Sequence, residues 1–221
     1  MKIKILKDYN ELSYTVADIV EEQIKREPLS RFILPTGSTP LSLYKKLVSR
    51  DLDWSHVATY NLDEYVDNTI QDQSYRYFME ENLFKHTNMD DDNIYFPGDT
   101  AVWPQMDYGI GVDLCLLGIG GNGHIAFNEP GSSFQSETTM VDLTEETIKD
   151  NSRFFPTIDD VPKQAVTMGL GTIMKSKKIV LIANGVHKYK ILNVAMNGGI
   201  TEKVPASILQ KHNNIEVYYC D

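Results

Sequence analysis

The sequence predicts an α/β fold with a mainly parallel sheet and helices on both of its faces. Short apolar runs of strand length alternate with stretches of helical period, and successive strands joined through helices run parallel. The polar residues able to do chemistry all follow strands, at the sheet edge where such folds collect ligands. With 221 residues and 42% hydrophobic content, the chain suits one domain over 1–221 with a sizeable core.

The opening residues read as a short strand. Leu12, Val16, Ile19, Val20 and Ile24 then recur at helical spacing, with Asn10 as the expected N-cap. Arg31-Phe32-Ile33-Leu34 is a buried-strand pattern, followed by the loop Pro35-Thr36-Gly37-Ser38-Thr39-Pro40 and a helix to about Val48. Val57 to Leu62 begins a second such unit, closed by Asp63-Glu64 and helix-compatible sequence from Ser74 to Phe84. Asp90-Asp91-Asp92-Asn93 marks a surface turn before Ile94-Tyr95-Phe96, and a connection containing Pro and Gly leads to the apolar run Val112 to Leu117.

A glycine-rich loop, Gly118 to Pro130, follows that run. Leu143 to Pro162 breaks the alternation: Thr144 is placed to cap a short helix with Glu145 and Glu146 in its first turn. An insertion there, at about 143–163 after a candidate active-site loop, reads as a lid. Ile179 to Ala183 is a further strand, and the helix from about His187 is stopped by Asn197-Gly198-Gly199.

Charge and cysteine usage exclude several classes. A formal net charge of −10 repels nucleic acid and anionic membrane surfaces, so neither is an expected partner and an anionic ligand needs a local positive site. Cys115 and Cys220 indicate no disulfide framework, residues 1–6 hold no apolar run long enough for a secretory leader, and no window approaches a membrane span. A cytoplasmic protein is expected.

Gly37-Ser38-Thr39-Pro40 is compatible with a phosphate cradle, with Gly37 permitting close backbone approach and Thr39-Pro40 starting a helix; an ordinary strand-to-helix turn is the alternative. It is not a Walker loop. Asp63 and Glu64 stand just past a strand, where burial raises a carboxyl toward the range of a general base; capping or ordering the turn is the competing role. His124, five residues before Glu129, is either an acid or base tuned by that carboxylate or a structural histidine. The other histidines are scattered and cysteine ligands are absent nearby, so no metal site is expected. Arg153, in the lid segment, and Lys188, in the turn after the Ala183 strand, are anion contacts or solvated surface cations.

No serine elbow or activated cysteine appears, and Gly118 to Gly123 is an incomplete dinucleotide fingerprint. A phosphate pocket with carboxylates and a histidine suits proton transfer on a sugar phosphate.

These segments together resemble the glucosamine-6-phosphate deaminase (isomerase) family over nearly the full length. The resemblance is carried by Leu34 to Pro40, Asn61-Leu62-Asp63-Glu64-Tyr65, Gly118 to Pro130, Asn151-Ser152-Arg153-Phe154-Phe155 and Pro205-Ala206-Ser207-Ile208-Leu209. It implies a Rossmann-like three-layer sandwich and conversion of an amino sugar phosphate, glucosamine 6-phosphate, with water into fructose 6-phosphate and ammonia, without metal or organic cofactor. By motif, Asp63 resembles the base that moves a proton between C2 and C1, and His124 the group that opens the sugar ring, tuned by Glu129 and Asn122. Gly37, Ser38, Thr39, Arg153 and Lys188 match the phosphate-binding positions.

Asn122 departs from the aspartate of some members: it can orient the imidazole but carries no charge to stabilise imidazolium. Thr138 to Asp142 lacks the cations with which hexameric members bind an effector, and the chain stops at Asp221 without their C-terminal extension. No comparable allosteric activation is therefore expected, and the resemblance then favours a monomer or small homo-oligomer. Two rivals remain: a 6-phosphogluconolactonase, with a similar glycine-rich histidine loop, and a noncatalytic sugar-phosphate sensor.

Overall fold

The strands of the main sheet all run parallel in the computed structural model, which describes residues 2–68, 70–98 and 111–221. Their spatial order is β1 (Ile3–Ile5), β10 (Ile215–Cys220), β9 (Ile179–Asn184), β6 (Leu114–Leu117), β2 (Arg31–Leu34), β3 (Ala58–Asn61), β5 (Ile94–Tyr95). The chain enters the centre at β2, builds outward through β3 and β5, then returns to the other side of β2 as β6 and builds the opposite way. Loops leaving β2 and β6 therefore part from each other, and the crevice between them is the topological switch point.

Side chains alternate across this sheet. Phe32, Leu34, Leu116, Val180 and Ile182 face one apolar layer, while Ile33, Cys115, Leu117, Ile179 and Leu181 face the other. Burial on both faces is why these strands read as continuous apolar runs. Leu12, Val16 and Val20 of α1 (Tyr9–Arg26) and Leu43 and Leu47 of α2 (Leu41–Val48) close the first layer. Leu170 and Ile173 of α5 (Leu170–Ile173) and Leu192 and Ala195 of α6 (Val186–Asn197) close the second. The predicted α/β layering is the one observed.

Local signals correct two expectations. Asp8, not Asn10, caps α1: its extended backbone lets the carboxylate accept from the Glu11 amide at 2.8 Å, whereas Asn10 already lies inside the helix. Thr39 does not cap α2, which begins after Pro40; its hydroxyl instead donates to Asn184 Oδ1 at 2.8 Å. Ser74 caps α3 (Tyr75–Asn82), accepting from Tyr77 N at 3.0 Å, and α6 stops at Asn197 before Gly198.

A second sheet was not visible in the sequence. It is antiparallel, β4 (Asp63–Tyr65), β8 (Gln164–Thr167), β7 (Thr139–Asp142), with strands too short or too exposed to show period-two alternation. Between β7 and β8, Thr144 caps α4 (Glu145–Asn151), as expected, and two 3-10 turns follow, Ser152–Phe154 and Ile158–Asp160. Tyr65, Phe127, Leu143, Phe155, Val161 and Ala165 form a third apolar cluster that fastens this stretch to the small sheet. Most of the connection from Phe96 to Val112 lies outside the described residues. Among the described residues no helix is long and apolar enough to cross a membrane.

Candidate active site

A cavity of about 460 Å³ occupies the crevice, and Gly37, Ser38, Thr39, Asp63, His124, Arg153 and Lys188 all line it. They arrive from the C-terminal ends of β2, β3, β6 and β9 and from the α4 segment. Asn122 and Glu129 stand behind His124.

On the β2 side, Gly37 has φ +97, a left-handed conformation that a side chain would strain. The loop around it is clamped by Tyr9 of α1, whose hydroxyl donates to Ser38 O at 2.9 Å and Thr39 O at 2.7 Å and accepts from Ser42 N at 3.1 Å. Neither Tyr9 nor Asn184, which receives the Thr39 hydroxyl, carries a sequence signal for this role; their partners are remote in the chain. Lys188 lies in the first turn of α6, and the Arg153 guanidinium rests over the Phe154 ring, 4.7 Å from its centroid. These two cations line the cavity together with the acidic Asp63, Asp72 and Glu81, in a chain of net charge −10.

The adjacent carboxylates divide into separate roles. Glu64 accepts from the amides of Tyr65 at 2.8 Å, Tyr75 at 3.0 Å and Arg76 at 2.8 Å, and so holds the start of α3. Burial pushes its proton affinity up, and those amides oppose the rise. Asp63, 7% exposed, lines the cavity instead. Burial, reinforced by the Glu64 charge, pushes its carboxyl up to about 8. Both protonation states are accessible near neutrality, as a group that takes and returns a proton requires.

His124 packs against the backbone of Gly120, where an added Cβ would sit 2.1 Å from the imidazole. Its own amide donates to Asn122 Oδ1 at 3.1 Å, which fixes the asparagine's orientation because that amide can only donate. Asn122 Nδ2 is thereby turned to Glu129 Oε2, 2.8 Å away. An aspartate at this position would face the Glu129 carboxylate with a second negative charge, whereas the asparagine bridges to it. Thr147 Oγ1 donates to Glu129 Oε1 at 2.5 Å, and His124 Nδ1 lies 3.6 Å from the same oxygen, an ion-pair distance beyond hydrogen-bond reach. Burial raises the Glu129 carboxyl, but His124, Thr147 and Asn122 outweigh it and hold it down at about 2. It is a carboxylate at any working pH.

Two further side chains hold the loop in place. Asn128 donates to Ile125 O at 2.9 Å and Met168 O at 2.8 Å, and Thr167 Oγ1 accepts the Phe127 amide at 3.1 Å. Ala126, between them, has φ 52 and lines the cavity, a sparsely populated conformation for a residue other than glycine. Thr147 and Thr167 were not expected as site residues, because nothing local distinguishes a threonine that reaches across the fold from one that caps a turn. Among the described residues no group of three or more His, Cys, Asp or Glu is arranged to hold a metal ion.

This arrangement can hold an anion at one end and exchange protons with the rest of a ligand at the other. A glucosamine-6-phosphate deaminase of Clostridium perfringens is 45% identical over 97% of this chain and 95% of its own. A solved monomeric glucosamine-6-phosphate deaminase shares 37% identity, covers 100% of this chain and 97% of its own, and superposes with a TM-score of 0.93. The 6-phosphogluconolactonase of Thermotoga maritima, at 21% identity with 99% and 98% covered, reaches a TM-score of 0.74 and shares the fold. A profile for glucosamine-6-phosphate isomerases/6-phosphogluconolactonase matches residues 8–218, and with these relatives it places the chain in that family.

Proposed function

We propose that the protein converts glucosamine 6-phosphate and water into fructose 6-phosphate and ammonia, an isomerising deamination by acid-base catalysis. The observation that carries this reading is the pairing of a buried, proton-retaining Asp63 with the His124–Glu129 pair around one cavity whose wall holds Arg153 and Lys188. Identity of 45% to a deaminase, against 21% to a lactonase sharing the fold, favours this member of the family.

Backbone amides at Gly37, Ser38 and Thr39, with Arg153 and Lys188, hold the phosphate. His124 carries the proton from the C1 hydroxyl to the ring oxygen, opening the pyranose; Asn122 and Glu129 keep the imidazole oriented, and the Glu129 carboxylate is the negative partner of its positive form. The Asp63 carboxylate removes the C2 proton of the open aldehyde and returns it to C1, while a proton passes from the amine nitrogen to the C1 oxygen, leaving a C1 hydroxyl and an imine at C2. Water adds to that carbon and the nitrogen departs as ammonia, so the C–N cleavage is hydrolytic and the protein a hydrolase in that sense. The α4 segment, about 143–163, acts as a lid that excludes bulk water while the aldehyde is open. A monomer or small homo-oligomer in the cytoplasm completes the proposal, in keeping with the monomeric relative.

The test supplies glucosamine 6-phosphate to purified protein and follows fructose 6-phosphate and ammonium together. Equal release of both supports the proposal. Hydrolysis of 6-phosphogluconolactone in their place identifies a lactonase, and binding without product identifies a sensor.

A further inference from the structure

The first turn of α4 supplies a side chain that the acid-base scheme does not use. Thr147 is 8% exposed, and its hydroxyl donates to Glu129 Oε1, the oxygen that faces His124 Nδ1. The direction of this bond is set from both ends. Thr144 Oγ1 accepts from Thr147 N at 3.2 Å and lies 3.0 Å from Thr147 Oγ1, to which it donates, while an ionised carboxylate can only accept. The chain therefore runs from Thr144 to Thr147 to Glu129, one proton per link.

We propose that Thr147 is a positioning residue that aims Glu129 at His124 and couples ring opening to the seating of the α4 segment. The same short stretch carries Arg153, so the element that meets the phosphate also holds the carboxylate beside the histidine. His124 Nδ1 is buried and has no hydrogen-bond partner among the described residues; its contact with Glu129 is the 3.6 Å approach. A further shift of well under about 1 Å brings that approach to hydrogen-bond length. The Thr147 hydroxyl is the hydrogen bond through which α4 acts on Glu129. Asn122 holds the other carboxylate oxygen from the His124 loop itself, so only the Thr147 link reports on α4. The remaining charged side chains lining the cavity are Asp63, Asp72, Glu81, Arg153 and Lys188. None of them belongs to the Thr144–Thr147–Glu129 chain.

The coupling to ring opening rests on the deaminase reading, whereas the hold on Glu129 does not. Thr147→Val removes the hydroxyl with little change in shape, and Thr147→Ser keeps it. In the full chain we expect Thr147→Val to lower kcat for glucosamine 6-phosphate about tenfold, the worth of one hydrogen bond to a charged group, with KM within about twofold. Nuclear magnetic resonance titration of the His124 imidazole is expected to show its midpoint falling by about half a pH unit or more in Thr147→Val. Thr147→Ser is expected to restore both kcat and midpoint. An unchanged midpoint in a folded Thr147→Val protein overturns the proposal, as does a serine variant that behaves like valine. If the parent releases neither product, the deaminase reading has failed, and the titration still decides whether Thr147 holds Glu129 to His124. Should Thr147→Val not fold, the proposal stands or falls on Thr147→Ser, in which parental kcat and midpoint support it and their loss overturns it.

Discussion

Asp63 lies directly opposite Thr167 in the antiparallel pair of β4 and β8, and the Thr167 hydroxyl accepts the amide of Phe127, three residues beyond His124. One residue of the small sheet therefore sets both the strand of the carboxylate and the loop of the histidine. Asp63 and His124 come from opposite sides of the switch point, and β8 ties the two segments together. We expect Thr167→Val, which leaves the Phe127 amide buried without an acceptor, to cost about 1–3 kcal/mol of stability and to lower kcat more than it raises KM. Denaturant unfolding beside steady-state kinetics would measure both, and parental values in both would show that this link does not hold the site.

Asp63 carries a pH signature of definite sign. Between its ordinary value of 3.8 and about 8, the folded chain keeps a proton at Asp63 that the unfolded chain has lost, so stability falls as pH rises through that window. Asp63→Asn removes this cost. The variant should match the parent near pH 4 and gain on it toward pH 9, by about 1.4 kcal/mol per pH unit at most within the window, as read from Tm against pH. Its turnover should fall by about 10²-fold or more while the phosphate end still binds. In the parent, kcat/KM should rise with pH along a limb centred near 8; a limb centred near 4 would show that burial does not raise the Asp63 carboxyl in the free protein.

Glu64, next in sequence, should respond in another way. Its three amide contacts hold the entrance to α3, and Glu64→Ala leaves them unpaired. A loss of about 2 kcal/mol is expected in chemical unfolding, with kcat per folded molecule changed far less than in Asp63→Asn. A stable but inactive Glu64→Ala would exchange the roles assigned to the pair.

Gly120 is required by the imidazole that occupies the space of its missing side chain. Gly120→Ala must displace His124, and a displacement of about 1 Å is expected to cost about 10²-fold in kcat with little effect on phosphate affinity. Inhibition by inorganic phosphate, compared between parent and variant, separates the two effects.

Arg153 and Lys188 should affect binding before chemistry. Arg153→Ala and Lys188→Ala are each expected to raise KM for glucosamine 6-phosphate by about 10- to 100-fold, the worth of a charge-assisted contact to phosphate. Unphosphorylated glucosamine at high concentration should be processed at similar, low rates by parent and variants. A loss confined to kcat would remove these cations from the phosphate site.

By itself the sequence determined the layering, because residues buried on both faces of a parallel strand must be apolar in sequence too, as in Leu114 to Leu117 and Ile179 to Ala183. It also determined where chemistry is gathered, since polar residues following such strands can only emerge at one edge of the sheet, and the expected cavity-lining residues do meet there. The tertiary structure alone decided what each of those side chains contacts. Apart from the family motif, Asp63 and Glu64 are alike as neighbours in a string, and the fold separates them by which one meets the amides of α3. Asn122 reads as a lost charge until its amide is seen bridging to Glu129. Thr147 and Thr167 act over 18 and 40 residues, through hydrogen bonds whose partners no local period encodes. Hydrophobic burial is periodic and so is written along the chain; hydrogen bonding at a site depends on distance and direction between remote segments, which exist only once the chain has folded.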